Sequence, residues 1–523
     1  MAGSNGQFSS GLNASPKSYE INKILLARQF QQQSEGVFNV SKPDERGSVN
    51  ITEFVDKVEF AESLYSMGLT VKLTIADPIN LLENEGMTGC EYLWIEVKKK
   101  NREGEEPSYR RQWFYVIDYP LFSRPKPDVQ VFEVVAVSAF GFLSKVLTTQ
   151  KVYEGGSGEI LTKVLADLAK NIKPRPNFVL QNVPVSFEQM QSVRNVPSVN
   201  GTYRHFGNGR SFFDIVQDLK RYTFDQTDSR FFLFESFAFD ETMVVLDSYG
   251  SLVSRADELL HDTYSHAYFY TRSGVFTEPS FAEQRQRILS ISSKLGFSAF
   301  RGITNGGYTA QTQELDLAYK TYREVDYNVH VDNPQKINRF YDYLVDSGYD
   351  VSANFLEDFQ KSKIYKTHRN SLMFSDTLEP SEFSHESLSS HRFAKANATD
   401  LNLDQLVHTI TIYADTSIRA GKFVNLRLPK SKGGDGVFEE DDLLSGLYLI
   451  VSVNHRFTSD GAFTDLRVKR ESGVHNPVRD LTDVSKLQKG FPTGLKNPEA
   501  VEQMRTGGLV LDNPGIFAKR KEG

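Results

Sequence analysis

Hydrophobic and polar positions alternate with period two most regularly between Leu406 and Arg470. Ile410, Ile412 and Ala414 share one parity, while Thr409, Thr411 and Tyr413 share the other. Val424, Leu426 and Leu428 repeat the pattern after Gly421, and Leu447, Leu449, Val451 and Val453 repeat it again. Successive side chains of a strand point to opposite faces, so these runs predict antiparallel strands with one face on a core. Asp460-Gly461 supplies a tight turn, and Thr464, Leu466 and Val468 form the returning strand. The expected arrangement is a closed or nearly closed β-barrel.

The same pattern occurs nearer the N-terminus. Leu69, Val71, Leu73 and Ile75 alternate and end at Asp77-Pro78, much as Ile410 and Ile412 end at Ala414-Asp415. A glycine and a second strand follow in both places, Gly89 before Tyr92 to Val97 and Gly421 before Phe423 to Leu428. Aromatic and β-branched strands at Trp113 to Tyr119 and Val129 to Ala139 complete this half, which reads as an internal repeat. Between the halves the period becomes helical. Ser157 is a candidate N-cap before Ile160, Leu161, Val164, Leu165 and Leu168, and Ser211 before Phe212, Ile215, Val216 and Leu219. Short strands are expected at Arg230 to Phe237 and Met243 to Leu246.

These patterns predict a mainly β chain with α/β insertions and two antiparallel barrels. Residues 1–50 are expected to form an arm and a short helix over Tyr19 to Gln33, and 51–150 the first barrel. An inserted α/β domain occupies 151–260. The first strands of the second barrel fall in 261–332, a helical and polar excursion in 333–404, and the remaining strands in 405–473. An extended tail, 474–523, alternates Pro, Gly and charge.

The segments TIYADTSIRAGKFVNLRLP (Thr411 to Pro429) and SGLYLIVSVNHRFTSDGAFTDLRVKR (Ser445 to Arg470) resemble the tail or baseplate hub family of contractile phage tails and related injection machines. In that family a strand ends in a polar turn, and a glycine leads into a strand of V-x-L-x-x-P type. A Gly-x-Tyr strand then ends in His and an aromatic residue. The resemblance implies tail-tube-like barrels and a homotrimer joining a six-fold tube to a three-fold spike. It implies as partners the central spike protein, the tail tube protein, other baseplate (wedge) proteins, and the tape-measure protein or DNA passing through the lumen. It implies a place in the virion tail baseplate, with assembly in the host cytoplasm and no stable membrane insertion. A tail-associated peptidoglycan hydrolase and the hub of a bacterial protein-injection machine are the alternatives. The resemblance carries no individual functional residue, no cofactor and no enzymatic activity. The long arm, the excursion and the tail depart from the compact family form.

Composition narrows this picture modestly. A net charge of −7 over 523 residues argues against a basic, sequence-reading DNA surface. The 38 Phe and 23 Tyr favour β-rich packing and aromatic interfaces. One cysteine, Cys90, excludes an intramolecular disulfide framework, and it reads as a small, semi-buried residue. MAGSNGQFSSGLNASPKS lacks the charged start and apolar run of a signal peptide.

Candidate chemistry is sparse. Gly155 to Gly158 and Phe206 to Ser211 each precede a helix, but neither carries the Gly-Lys-Ser/Thr of a phosphate loop, so both read as caps. His385 and His391, near Glu382 and Glu386, have spacing that fits neither one helical face nor a zincin motif. The acidic run Glu439 to Asp442 lacks the alternating ligands of a calcium loop. His455 shares the inward parity of Val453 and reads as a hydrogen-bonded structural histidine. Ser248 to Leu252 does not complete a Gly-x-Ser-x-Gly elbow. No catalytic, cofactor-binding or metal-binding residue is assigned.

Overall fold

A computed structural model describes most of residues 19–27, 48–172, 175–254 and 406–470, together with 267–270, 287–295, 304–328, 364–369 and 390–404. The chain is mainly β, with large antiparallel sheets. The first lobe contains β1 (Tyr19–Ala27), β2 (Ser48–Asn50), β3 (Val55–Ser63), β4 (Thr70–Asp77), β5 (Tyr92–Lys99), β6 (Ser108–Asp118), β7 (Phe122–Lys126) and β8 (Val129–Ser138). A short helix α1 (Leu81–Asn84) follows β4. Six of these strands pair in the order β3-β4-β8-β6-β5-β1. All six place side chains in one core, including Phe60, Leu73, Ile95, Phe114, Val134 and Ile24.

Residues 139–254 form the α/β unit. Its helices are α2 (Ala139–Val146), α3 (Ser157–Ala169), α4 (Phe187–Ser192), α5 (Phe212–Tyr222) and α6 (Tyr249–Ser254). Its strands are β9 (Thr148–Thr149), β10 (Val152–Gly155), β11 (Asn177–Leu180), β12 (Val183–Val185), β13 (Tyr203–Phe206), β14 (Arg210–Ser211), β15 (Phe231–Ser236) and β16 (Met243–Ser248). The central sheet runs β12-β11-β16-β15, with β11 parallel to β16. Residues 231 to 236 of β15 are all buried, as expected of a strand covered on both faces. Phe231, Leu233 and Val244 pack on α3 and α5, while Phe232, Phe234 and Val245 pack on Leu64, Phe423 and Val451 of the main sheet.

The second lobe contains β17 (Ala267–Phe269), β18 (Ser290–Leu295), β22 (Leu406–Tyr413), β23 (Phe423–Arg427), β24 (Gly446–Thr458) and β25 (Gly461–Arg470). Three further strands, β19 (Thr309–Asp316), β20 (Thr321–Asn328) and β21 (Ile364–Arg369), intervene in sequence. Helix α7 (Ser390–Leu403) precedes β22 and lies against β19 and β20. The lobe pairs in the order β18-β22-β25-β24-β23-β17.

The two lobes share one strand order. Matching β3 to β18, β4 to β22, β8 to β25, β6 to β24 and β5 to β23 superimposes the pairings. Fine details coincide. Tyr92 faces Tyr115 as Phe423 faces Leu449. The Val116 N–H donates to Glu91 O at 3.0 Å, and the Ile450 N–H donates to Lys422 O at 2.8 Å. Register slips follow at once in both, between Val116 and Asp118 and between Ile450 and Ser452. Gly89 and Gly421 both take left-handed φ, at 86° and 82°, where a β-carbon would be strained.

One strand joins the lobes. The edge of β24 pairs with β23 at Gly446 to Leu449, then with β3 from Ser452 to Thr458. The 14-stranded sheet is therefore continuous across both lobes. The first lobe curls round until its last long strand meets the second lobe: β1 lies against β24 and β25, and the Thr416 N–H donates to the Tyr19 hydroxyl at 3.4 Å.

Three expectations are corrected. Tyr19 to Ala27 is a strand on β5, not a helix. A bulge between Ile21 and Lys23 shifts the parity, so apolar residues fall at helix-like intervals along an extended chain. Second, no ladder joins β1 to β24 or β25 among the described residues; side-chain contact takes its place, so of the closed or nearly closed barrel expected, the closed form is not seen. Third, β19 and β20 pair with β21 in a separate sheet instead of joining the second lobe. Their polar alternation, as in TAQTQELD, does not suit the apolar core that β18 and β22 share. Residues 1–18, most of the 333–404 excursion and the tail lie outside the described residues.

Gly68 and Gly141 bring two backbones together beside the α/β unit. A β-carbon on Gly68 would sit 2.5 Å from the Gly141 Cα, and one on Gly141 would sit 2.9 Å from the Gly68 Cα. Backbone cannot yield as a flexible side chain can. Gly68→Ala is expected to destabilise the chain by about 1–3 kcal/mol, read as a lower denaturant midpoint. A wild-type midpoint would show that the approach is looser than this.

Candidate functional site

The densest buried polar cluster lies where both lobes meet the α/β unit. Glu62 follows Val58 and Phe60 on the inward parity of β3, and Glu235 lies near the end of β15. Both are essentially fully buried. Glu62 accepts from the Phe237 N–H at 2.7 Å and from the Ala420 N–H at 2.5 Å, so it ties β3 to the α/β unit and to the turn before β23. Glu235 accepts from Gln112 Nε2 at 2.8 Å, from the Leu69 N–H at 3.4 Å and from the Ser138 hydroxyl. Burial pushes each carboxyl up to about 7 despite these hydrogen bonds, and the charge of Glu62 adds to the shift at Glu235.

Aromatic rings wall the cluster. Phe237 stacks on Phe60 at 4.4 Å between centroids, lies 5.4 Å from the His455 ring and sits beneath the Arg110 guanidinium at 5.5 Å. Arg110 also donates to the Phe237 carbonyl. His455 is buried as its parity predicts, and its Nδ1 lies 2.9 Å from the Thr464 hydroxyl. Burial pulls its pKa down to about 3, so it is neutral at physiological pH.

A second cluster has the connectivity of a nucleophile, base and orienter. Ser293 Oγ lies 2.7 Å from His408 Nδ1, His408 Nε2 lies 2.9 Å from the Tyr448 hydroxyl, and Tyr448 donates to Leu444 O at 2.6 Å. The lobe correspondence gives it a structural meaning. The three positions match Phe60, Val71 and Phe114 of the first lobe, an apolar contact inside the core. Burial lowers the His408 pKa to about 4, which suits a neutral core histidine and makes a weak general base. The cluster is a hydrogen-bonded substitute for an apolar triad.

The motifs singled out in sequence do not converge. Gly155 precedes α3, but the Glu159 carboxylate already lies over it, so the helix start presents an anion of its own. Ser211 caps α5 by accepting from the Asp214 N–H at 3.1 Å. Asp441 accepts from the Leu444 N–H at 2.9 Å, a local turn. His385 and most of the acidic run lie outside the described residues, and His391 falls in the first turn of α7. Cys90 is exposed, against the expectation of partial burial, because the loop before β5 carries it outward. No group of three or more His, Cys, Asp or Glu arranged to hold a metal occurs among the described residues, and no described helix is long and apolar enough to cross a membrane. The acidic pair escaped sequence reading, although Glu62 sits on the parity of Val58 and Phe60, and that signal could have found it.

No family model matches this chain, and no curated protein matches it in sequence. Solved structures similar to it include the tail protein from Neisseria meningitidis MC58, at 10% identity and TM-score 0.43, covering 87% of this chain and 97% of that one. The 43 kDa tail protein of prophage MuSo2 from Shewanella oneidensis matches at 10% identity and TM-score 0.39, covering 86% and 99%. An E. coli component of the type VI secretion system, itself structurally similar to T4 bacteriophage tail proteins, matches at 8% identity and TM-score 0.36, covering 80% and 74%. Two of these are described as tail proteins and the third as a secretion-system component.

Proposed function

We propose that this chain is a structural hub of a tail baseplate, a homotrimer that joins a six-fold tail tube to a three-fold central spike. The observation that carries the reading is the duplicated lobe with its internal seam. Within one chain, β24 of the second lobe pairs with β3 of the first. The corresponding edges, β7 with the end of β6 in the first lobe and β18 in the second, carry no further strand among the described residues. A contact made by one edge on a different matching edge is heterologous, and repeated copies close a ring when the rotation allows. Three chains with two lobes each supply six similar lobes, which answers a mismatch between six-fold and three-fold partners. In this reading each lobe serves as a tube-like barrel, and β1 completes the roll of the first.

In this role the chain works mechanically. It links tube, spike and surrounding baseplate proteins, and its ring encloses the lumen through which DNA or a tape-measure protein passes. The virion tail is where it resides, after assembly in the host cytoplasm. The mild negative charge suits a lumen that a polyanion crosses without adhering.

The test is the solution mass by light scattering coupled to size exclusion. The chain weighs 59.2 kDa, so a closed trimer has a mass of about 180 kDa. A species of that mass alone, or of that mass plus the bound spike after its addition, is the expected result. A chain that stays monomeric with and without the spike overturns the proposal.

A further inference from the structure

We propose that Glu62 and Glu235 form a proton-operated joint, in which protonated carboxyls clamp the α/β unit to the two lobes and ionisation of both loosens it. The joint is a property of the single chain and stands whether or not the chain assembles.

The geometry carries it. Glu62 reaches out of the first lobe to the Phe237 and Ala420 amides, one at the end of β15 and one in the turn before β23. Glu235 reaches back from β15 to Leu69, Gln112 and Ser138 of the first lobe. The two side chains therefore cross the same boundary in opposite directions, and β15 packs directly on β3 there. Ser138 is also the N-cap of α2, accepting from the Gly141 N–H at 3.3 Å, so the clamp continues into the helical layer.

The charged groups facing the pair come from three elements. Arg419 and Lys422 act on Glu62 from the turn before β23, and Arg110 reaches Phe237 from β6. His455 faces the same aromatic wall from β24 and feels both Arg110 and Asp415. With both carboxyls ionised, two like charges share a dry boundary and repel, which opening relieves.

The sign follows from linkage. A carboxyl raised from 4.5 to about 7 in the closed joint binds more protons closed than open. The carboxyls' contribution to closure is therefore largest at low pH, weakens as pH rises between 4.5 and about 7, and changes no further above that. His455 acts oppositely, because opening lets it take a proton below its ordinary pKa of 6.5. Above pH 6.5 the carboxyls dominate.

Hydrogen exchange of the full chain at pH 6.5 and 8.5, corrected for intrinsic exchange rates, tests the joint. Peptides covering Leu69, Phe237 and Ala420 are expected to lose protection on the order of tenfold at the higher pH. Glu235→Gln keeps an acceptor for Ser138 and leaves Gln112 able to turn its amide, so it mimics the protonated carboxyl. In that variant the loss is expected to shrink to about threefold. A wild-type change below twofold, or an undiminished change in Glu235→Gln, overturns the proposal. If the variant does not fold, infrared titration of the wild type decides. A buried carboxyl C=O band that disappears near neutral pH supports the joint, and absence of such a band sinks it.

Discussion

Phe60→Ala is expected to lower the thermal midpoint of the whole chain in one step. Phe60 is buried on β3, opposite His455 across the seam and opposite Val71 within the lobe. Its ring touches Phe114 of the first lobe at 5.9 Å, Phe237 of the α/β unit at 4.4 Å and Phe457 of β24 at 5.8 Å. Truncation removes one wall from three packing units and leaves a cavity that a sheet paired on both edges of β3 cannot collapse. The expected cost is about 3–5 kcal/mol, with a midpoint drop of roughly 5 °C in calorimetry. With that apolar wall gone Glu62 is better solvated and its carboxyl less raised, so the drop is expected to narrow as pH rises from 6.5 to 8.5. Phe60→Leu, which refills most of the volume, is expected to recover much of the loss. A loss confined to one of several separate transitions would show that the lobes and the α/β unit unfold independently.

That three-way packing marks the limit of what single-sequence patterns convey. Leu69, Leu73 and Ile75 and their partners Leu406, Ile410 and Ile412 are all core residues, because a half-buried strand writes its burial into its parity. Ser211 was legible as a cap because its hydroxyl acts on a residue three positions away. His455 was legible as an inward residue by counting from Val453. Other features depend on partners distant in sequence. Thr458 pairs with Lys57 across about four hundred residues, and nothing local to either strand announces it. In β1 the bulge and the pairing with β5 override the helical spacing of Ile21, Ile24 and Leu25. Beyond the parity of Glu62, nothing local to Glu62 or Glu235 announces burial, because carboxylates are normally solvated and only donors from other units make their burial tolerable. The resemblance read from Thr411 to Arg470 concerned strands and turns, and those are the features that the second lobe reproduces.

Ser123→Cys combined with Ser292→Cys is expected to cross-link neighbouring chains on mild oxidation, and the lobe correspondence supplies the pair. Across the internal seam Arg456 lies opposite Glu59. Arg456 faces Phe463 on β25, the position that Val131 occupies on β8, and Val131 faces Ser123 on β7. Glu59 faces Lys72 on β4, the position that Thr409 occupies on β22, and Thr409 faces Ser292 on β18. Ser123 and Ser292 are thus the first-lobe and second-lobe equivalents of the in-chain pair, and both are exposed. Directly opposite residues on antiparallel strands hold their β-carbons about 4.5–5.5 Å apart, close enough for a disulfide after small adjustment. The experiment uses a Cys90→Ser background, because that thiol is exposed. Non-reducing gels should show covalent dimers and trimers from the double variant, with no such ladder from either single variant. Replacing Ser292→Cys by Ser290→Cys moves the thiol about 7 Å along the strand and should reduce the yield strongly. Equal yields from both pairs would mean random collision between exposed thiols, and no cross-link in a chain of trimeric mass would mean a ring built on other edges. A ladder specific to Ser123 and Ser292 would mean that the chain repeats between copies the seam it already makes within itself.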